Sequence, residues 1–319
     1  MKIYLAGHSG LVGSAMLQAF KAKSDYELIT RSRSELDLTD QASVASFFQS
    51  EKLDMVVLAA AKVGGINANN NFSGQFIYEN LQIQNNVIHQ AHLADVQRLI
   101  FLGSSCIYPN ATQQPMTENM LLTGTLEATN EAYAVAKIAG IKMCESYNRQ
   151  YGRDYRCLMP SNLYGPGDNF NTENSHVIPA LIYKFHKAKI TNTDTVSIWG
   201  SGSPRREFLY VSDMVKAVLF LMQLDAGLYK SKINPRCSHI NVGTGSDVSI
   251  LELAELIKEI VKFKGQILFD KTKPDGSPRK LLNVDLLRSL GWQHSISLVK
   301  GLEKTYYWFC ENLDTLRKN

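Results

Sequence analysis

With 319 residues, 45% hydrophobic and 20% charged, the chain is long enough for two packed cores and too apolar to be disordered. Its 34 basic and 30 acidic side chains leave a formal charge of +4, scattered rather than massed, which excludes a nucleic-acid track and suits small anionic ligands. Five cysteines (Cys106, Cys144, Cys157, Cys237, Cys310), an odd number with no CxxC pair, exclude a disulfide framework and a zinc site and point to a reducing compartment.

Met1-Lys2 runs straight into the apolar Ile3-Tyr4-Leu5-Ala6, which leaves no room for a signal peptide. No apolar run approaches bilayer-spanning length, so a cytoplasmic, non-membrane protein is expected. Strands are predicted at Lys2–Ala6, Glu27–Thr30, Met55–Ala60, Arg98–Leu102 and Arg156–Pro160. Helical patterns fall between them, near Leu11–Lys23, Gln41–Gln49, Gly74–Leu93 and Glu131–Gln150. The strands are continuously hydrophobic, as required when helices cover both faces of a parallel sheet. Strand-helix alternation at this spacing predicts βαβ units.

After Leu163-Tyr164-Gly165-Pro166-Gly167 the pattern loosens into a polar stretch, Asp168–Ser175. Helices are predicted at His176–Ala188, Ser212–Leu224, Ser249–Val261 and Ser297–Asn312, with short strands at Val196–Trp199, Ile240–Val242 and Ile267–Asp270. The fold class expected is α/β, a doubly wound parallel sheet of Rossmann type with a smaller α+β C-terminal domain. Residues 1–165 form the dinucleotide-binding domain, the segment about 207–245 returns to it, and 166–319 bind substrate.

The first strand is followed by Gly7-His8-Ser9-Gly10-Leu11-Val12-Gly13, which opens the first helix. Glycines at a strand-helix junction let the backbone turn tightly and approach a pyrophosphate, whose charge the helix N-terminus favours. At the end of the second strand an NAD site wants a carboxylate for the ribose 2′-hydroxyl. This chain has Arg31-Ser32-Arg33, and a guanidinium suits a 2′-phosphate. NADP(H) is therefore expected, with Arg33 as the better contact and Asp37-Leu38 near the adenine ring.

Tyr133-Ala134-Val135-Ala136-Lys137 puts a phenol and an ammonium on one helix face. The lysine charge is expected to lower the tyrosine pKa, so that the phenol can pass a proton to a carbonyl oxygen as hydride reaches the carbon. With 14 tyrosines and 22 lysines, chance supplies about one such pair, and Tyr183–Lys187 is a second. Tyr133 is preferred because a preceding strand ends in Gly103-Ser104-Ser105, with hydroxyls near the cofactor.

Gly7, Gly10, Gly13, Ser104, Tyr133 and Lys137 together resemble the extended short-chain dehydrogenase/reductase superfamily. Longer strings bring the resemblance closer, to the 3,5-epimerase-4-reductases of GDP-4-keto-6-deoxymannose. They are Ala59-Ala60-Ala61-Lys62-Val63-Gly64-Gly65, Gly103-Ser104-Ser105-Cys106-Ile107-Tyr108-Pro109, Asn162-Leu163-Tyr164-Gly165-Pro166 and Asn174-Ser175-His176-Val177-Ile178-Pro179. Trp199-Gly200-Ser201-Gly202, Arg206-Glu207-Phe208 and Lys273-Pro274-Asp275-Gly276 extend it through the C-terminal part.

The resemblance implies one site that inverts two carbons beside a ketone and then reduces it. Ser104 and Tyr133 would hydrogen-bond the ketone oxygen, Cys106 would be the carbon base, and His176, at the start of a helix capped by Asn174-Ser175, the facing acid as imidazolium. Dehydratases of the superfamily carry an acidic pair where this chain has Ser105 and Cys106, so dehydration lacks its acid. Leu102, Gly103, Ser105, Pro160, Ser161, Asn162, Leu163 and His176 are implied beside the cofactor. Lys184, Trp199, Arg206, Asp275 and Lys280 are implied around the GDP-sugar. Two departures stand out: Lys184 where relatives often have arginine, and Ser9 where some have an arginine on the 2′-phosphate, which loosens the expected NADP selectivity. A homodimer through the Gly74–Leu93 and Glu131–Gln150 helices is also implied, and no metal. A 4-epimerase or dehydratase that retains NAD, and a nonenzymatic NADP-binding regulator, are the alternatives.

Overall fold

The computed structural model describes residues 1–22, 25–110, 112–170, 175–273 and 275–316. The first half consists of β1 (Lys2–Ala6), α1 (Leu11–Lys21), β2 (Glu27–Ile29), α2 (Gln41–Ser50), β3 (Met55–Leu58), α3 (Ile66–Asn71), α4 (Ser73–Leu93), β4 (Arg98–Leu102), α5 (Glu131–Tyr151) and β5 (Asp154–Pro160). Then come β6 (Asn162–Tyr164), α6 (Val177–Ile190), β7 (Thr195–Trp199), β8 (Arg205–Arg206), β9 (Phe208–Tyr210), α7 (Val211–Gln223), α8 (Ala226–Lys232), β10 (Ile240–Val242), β11 (Val248–Ser249), α9 (Ile250–Val261), β12 (Gln266–Asp270), β13 (Arg279–Lys280), α10 (Asp285–Ser289) and α11 (Leu298–Glu311).

Six strands form one sheet in the order β10-β5-β4-β3-β1-β2, and every pairing in it is parallel. Consecutive side chains of a strand point to opposite faces, and here both faces are apolar. Tyr4, Val56, Leu99 and Phe101 join one core with α2, α4 and α5. Ile3, Leu5, Met55, Val57 and Ile100 join a second with α1 and α7. This is the doubly wound, Rossmann-type sheet expected. The strand order reverses between β1 and β3, which opens a ligand crevice at their C-terminal ends.

Two later elements pack on this sheet: α7 lies against α1 and β10 pairs with the outer edge of β5, Ile240 opposite Leu158. A third core, with Phe185 of α6, Ile198 of β7, Leu253 of α9 and Phe309 of α11, lies apart from the sheet. Around it are three small sheets, β11-β8-β13, β12-β7 and β6-β9. Local chemistry sets several element ends. The Asp40 carboxylate accepts from Ala42 and Ser43 N–H at the start of α2. Ser249 and Glu252 form a reciprocal capping box on α9, and Gly152, left-handed at φ 70°, stops α5. The first helix ends at Lys21, two residues before the expected boundary at Lys23, which lies outside the described residues.

Candidate active site

The glycine loop is shaped by what a side chain would hit. Gly7 has φ +87°, and a Cβ there would lie 2.5 Å from Ala60 N; a Cβ on Gly13 would lie 2.0 Å from Gly7 O. Gly10 is different, since its Cβ would make only an ordinary 3.7 Å contact. It is the N-cap of α1 and offers no side-chain hydrogen bond, so the first N–H groups of the helix keep their donors for an anion. Two buried polar atoms, His8 Nδ1 in this loop and Ser161 Oγ just past β5, have no hydrogen-bond partner among the described residues. A steric cradle, an uncapped helix start and orphaned polar atoms together fit a dinucleotide pyrophosphate.

At the adenosine end the two arginines separate. Arg31 bonds Glu51 at 3.0 Å, donates to Thr30 O and lies over the Phe47 ring, 5.3 Å from its centroid. Arg33 is 73% exposed and only loosely held, 3.6 Å from Asp37 and 3.7 Å from Glu79. Asp37 accepts from the N–H and hydroxyl of Thr39, and these bonds hold its carboxyl below the usual range. Leu38 packs half-buried against the core, its carbonyl taking a 2.9 Å bond from Asn86.

β4 delivers the next group. Gly103 N–H bonds Leu158 O, and Ser104 caps a short turn over Ser105–Ile107 by accepting from Cys106 N–H at 3.4 Å. Lys137 reaches from α5 to donate to Leu102 O at 2.9 Å; its Nζ lies 4.8 Å from the centre of the Phe101 ring and 5.7 Å from that of Tyr133. Phe76 meets Tyr133 edge-on.

Ser104, Cys106, Tyr133, Asn162, Leu163, His176, Lys184, Trp199, Arg206, Asp275 and Lys280 line a single cavity of about 540 Å³, a size suited to a small-molecule site. The sequence pattern scattered these groups over more than half the chain. Glu127, Thr129, Asn130 and Asn69 also line it and were not anticipated. Glu127 caps the turn that leads into α5, accepting from Thr129 and Asn130; a carboxylate placed just before the tyrosine helix was the available signal. An open groove of about 730 Å³ along α9 contains none of these residues.

Two electrostatic expectations, for Tyr133 and His176, are corrected. Burial raises the Tyr133 pKa, the nearby Cys106 thiol adds to the rise, and Lys137 does not offset it. The lysine is itself affected: burial lowers it to about 8. Burial also raises the Cys106 thiol, while Lys280, Ser104 and Lys137 pull it the other way. His176 lines the cavity with much of its ring open to it, and desolvation by the groups packed around it lowers its pKa, so the neutral imidazole is favoured rather than the imidazolium expected. It is itself the N-cap of α6 and makes no side-chain cap bond; the expected capping residue Asn174 lies outside the described residues. Tyr183, the other tyrosine of the matching spacing, instead packs against Phe309 in the C-terminal core.

On the far wall, Lys184 donates to Ser197 O at 3.1 Å. Trp199, 58% exposed, has Lys184 at 6.0 Å and Lys273 at 5.6 Å from its ring. Asp275 accepts from Ser201 N–H at 2.6 Å and its hydroxyl at 2.8 Å, so its carboxylate holds the turn after Trp199. Burial lowers both Arg206 and Lys280, and Arg206 lowers Lys280 further. Among the described residues Lys184, Arg206 and Lys280 have no carboxylate at ion-pair distance. Three cations without close counter-ions make the wall a receptor for a polyanion.

A model of the NAD dependent epimerase/dehydratase family matches residues 3–243. Over 316 residues the chain is 57% identical to the GDP-L-fucose synthase of Escherichia coli (strain K12), covering 99% of this chain and 98% of that protein. The chain belongs to this family, in its GDP-L-fucose synthase branch. Solved members share the architecture. A GDP-6-OMe-4-keto-L-xylo-heptose reductase of C. jejuni superposes with TM-score 0.91 at 38% identity, covering 98% of each chain. A GDP-mannoheptose C4 reductase of Campylobacter jejuni with NADP bound gives TM-score 0.88 at 40% identity, covering 97% of this chain and 98% of that one. No described helix is long and apolar enough to cross a membrane.

Proposed function

We propose that this chain converts GDP-4-keto-6-deoxy-D-mannose to GDP-L-fucose by 3,5-epimerisation followed by NADPH-dependent reduction of the 4-ketone. The observation that carries the reading is one cavity lined by a thiol, an imidazole, a phenol with a serine hydroxyl, and three cations without close counter-ions. Thiol and imidazole supply a base and an acid; phenol and hydroxyl suit a ketone oxygen; the cations suit a diphosphate. The E. coli relative at 57% identity carries the name of this reaction.

In this mechanism Lys184, Arg206 and Lys280 hold the diphosphate, and the exposed face of Trp199 stacks on the base. Ser104 and Tyr133 hydrogen-bond the ketone oxygen and stabilise the enediolate formed when Cys106 removes a proton from the adjacent carbon. Burial keeps the resting thiol protonated, so Lys280 is the neighbour that makes its deprotonation accessible. The imidazolium form of His176, a minority species that its lowered pKa makes a stronger acid, returns a proton on the other face and is left as the neutral imidazole. The glycine cradle and Arg33 would hold NADPH, which when bound would serve as the hydride donor. Tyr133 then gives its proton to the ketone oxygen, and its raised pKa keeps that proton in place until it is needed.

Residues 1–165, with about 207–245, serve the cofactor in this scheme and the remainder of 166–319 the GDP-sugar. Exposed Tyr78 on α4 and Val135 and Tyr151 on α5 make these helices the proposed face of a cytoplasmic homodimer. The test is incubation with substrate and NADPH in D2O. Cys106→Ser is expected to stop deuterium entering carbons 3 and 5 while direct reduction survives, and Tyr133→Phe to slow reduction at least ~100-fold. Normal deuterium entry in the cysteine variant removes Cys106 from its role.

A further inference from the structure

We propose that Glu79, on α4, is a specificity-determining residue that competes with the 2′-phosphate of NADP(H) for the Arg33 guanidinium and so narrows the preference over NAD(H). This rests on the NADPH reading above. Arg33 is the cation left to meet a 2′-phosphate, because Arg31 is turned back onto Glu51 and Phe47. Its guanidinium is shared between two carboxylates, Asp37 at 3.6 Å and Glu79 at 3.7 Å. Asp37 is already bonded to Thr39.

Glu79 also holds Lys62, Nζ to Oε1 at 2.5 Å, and Lys62 has a further bond to Gln75 and lies by the Phe76 ring. Arg33 and Lys62 contribute two positive charges here, Asp37 and Glu79 two negative. These four charges therefore cancel before any ligand arrives, and Glu35 on the same turn is bonded to the N–H and hydroxyl of Ser32 rather than to Arg33. A dianionic 2′-phosphate entering such a neutral patch must take Arg33 away from its carboxylates, whereas the 2′-hydroxyl of NAD needs no cation and can use an acceptor. Glu79 is 18% exposed against 73% for Arg33, so the carboxylate is the fixed partner and the guanidinium the mobile one.

The experiment measures binding of NADP+ and NAD+ to the unmodified chain, to Glu79→Gln, to Arg33→Ala and to the double variant, with no sugar present. Glu79→Gln is expected to tighten NADP+ by ~2–5-fold, the range of a partly exposed charge interaction, and to leave NAD+ unchanged. High salt should shrink that gain. The gain should vanish in the Arg33→Ala background, which separates competition for the guanidinium from a general loss of negative charge. An NADP+/NAD+ ratio unchanged by Glu79→Gln overturns this inference alone. Failure of the unmodified chain to bind either dinucleotide overturns the cofactor reading and this inference with it.

Discussion

The cofactor side and the substrate side of the cleft are built by different means. The cofactor side is backbone: Gly7 and Gly13 sit where a Cβ would strike main-chain atoms, and the donors are the free N–H groups of α1. The substrate side is made of long cationic side chains, two of them from two-residue strands, braced by carboxylates. Glu207, 1% exposed, accepts from Thr244, Gly245 and Leu282 N–H while its own N–H bonds Lys280 O. It stands beside Arg206 in sequence, so one carboxylate fixes the strand carrying Arg206 to the strand carrying Lys280. Asp275 does the same for the Trp199 turn. A backbone cradle has one rigid shape, whereas a carboxylate-braced cluster can be retuned one residue at a time.

The comparison breaks most sharply at Gly13. Gly13→Ala is expected to weaken NADP+ binding at least ~100-fold, because the methyl group displaces the loop by about an ångström, and to leave GDP affinity unaffected; calorimetric titration with each ligand reads both. Glu207→Gln should do the reverse. Replacing an acceptor oxygen by an amide leaves a buried N–H unpaired at about 1–3 kcal/mol. The expected result is a KM for the GDP-sugar raised by roughly tenfold with NADP+ affinity retained, checked by steady-state kinetics.

The smallest effect sharpens the boundary between the two sides, where Lys137 sits. Burial lowers its pKa from the ordinary lysine value to about 8, so the unfolded chain binds the proton more tightly than the folded one. Stability from this group therefore rises as pH climbs from about 8 towards 10.5, and below pH 8 the buried charge is a net cost. Lys137→Met is expected to lower reduction activity while stabilising the fold at pH 7 by about 1 kcal/mol and flattening that pH slope, measured by denaturant unfolding across the range.

The cofactor side was legible from sequence for the same reason that it is rigid. Its glycines are contiguous, and its strands are apolar runs that end next to them, so β1, β4 and β10 were bounded correctly. Two-residue strands such as β8 and β13, and short α3, α8 and α10, carry too few residues for any period to register. Lys184, Arg206 and Lys280 were recognisable only through resemblance, because pairing of β8 with β13 brings Arg206 and Lys280 together and Lys184 joins them from α6. The titration of Tyr133 and His176 was misjudged because sequence spacing reveals a neighbouring charge and hides desolvation, and in this cavity desolvation is the larger influence.

The sixth strand of the main sheet has a consequence for biosynthesis. β10 covers the edge of β5, yet it follows in the chain about 80 residues later. At ribosomal speeds of roughly 5–20 residues per second, that is about 4–16 s of translation. Throughout that interval Leu158 and Met159 lie on an apolar strand with an open hydrogen-bonding edge, a template for pairing between nascent chains. Pro160, which has no N–H, blunts only the far end of that edge. Quality of the newly made protein thus depends on guarding one strand border until residue 242 has left the tunnel.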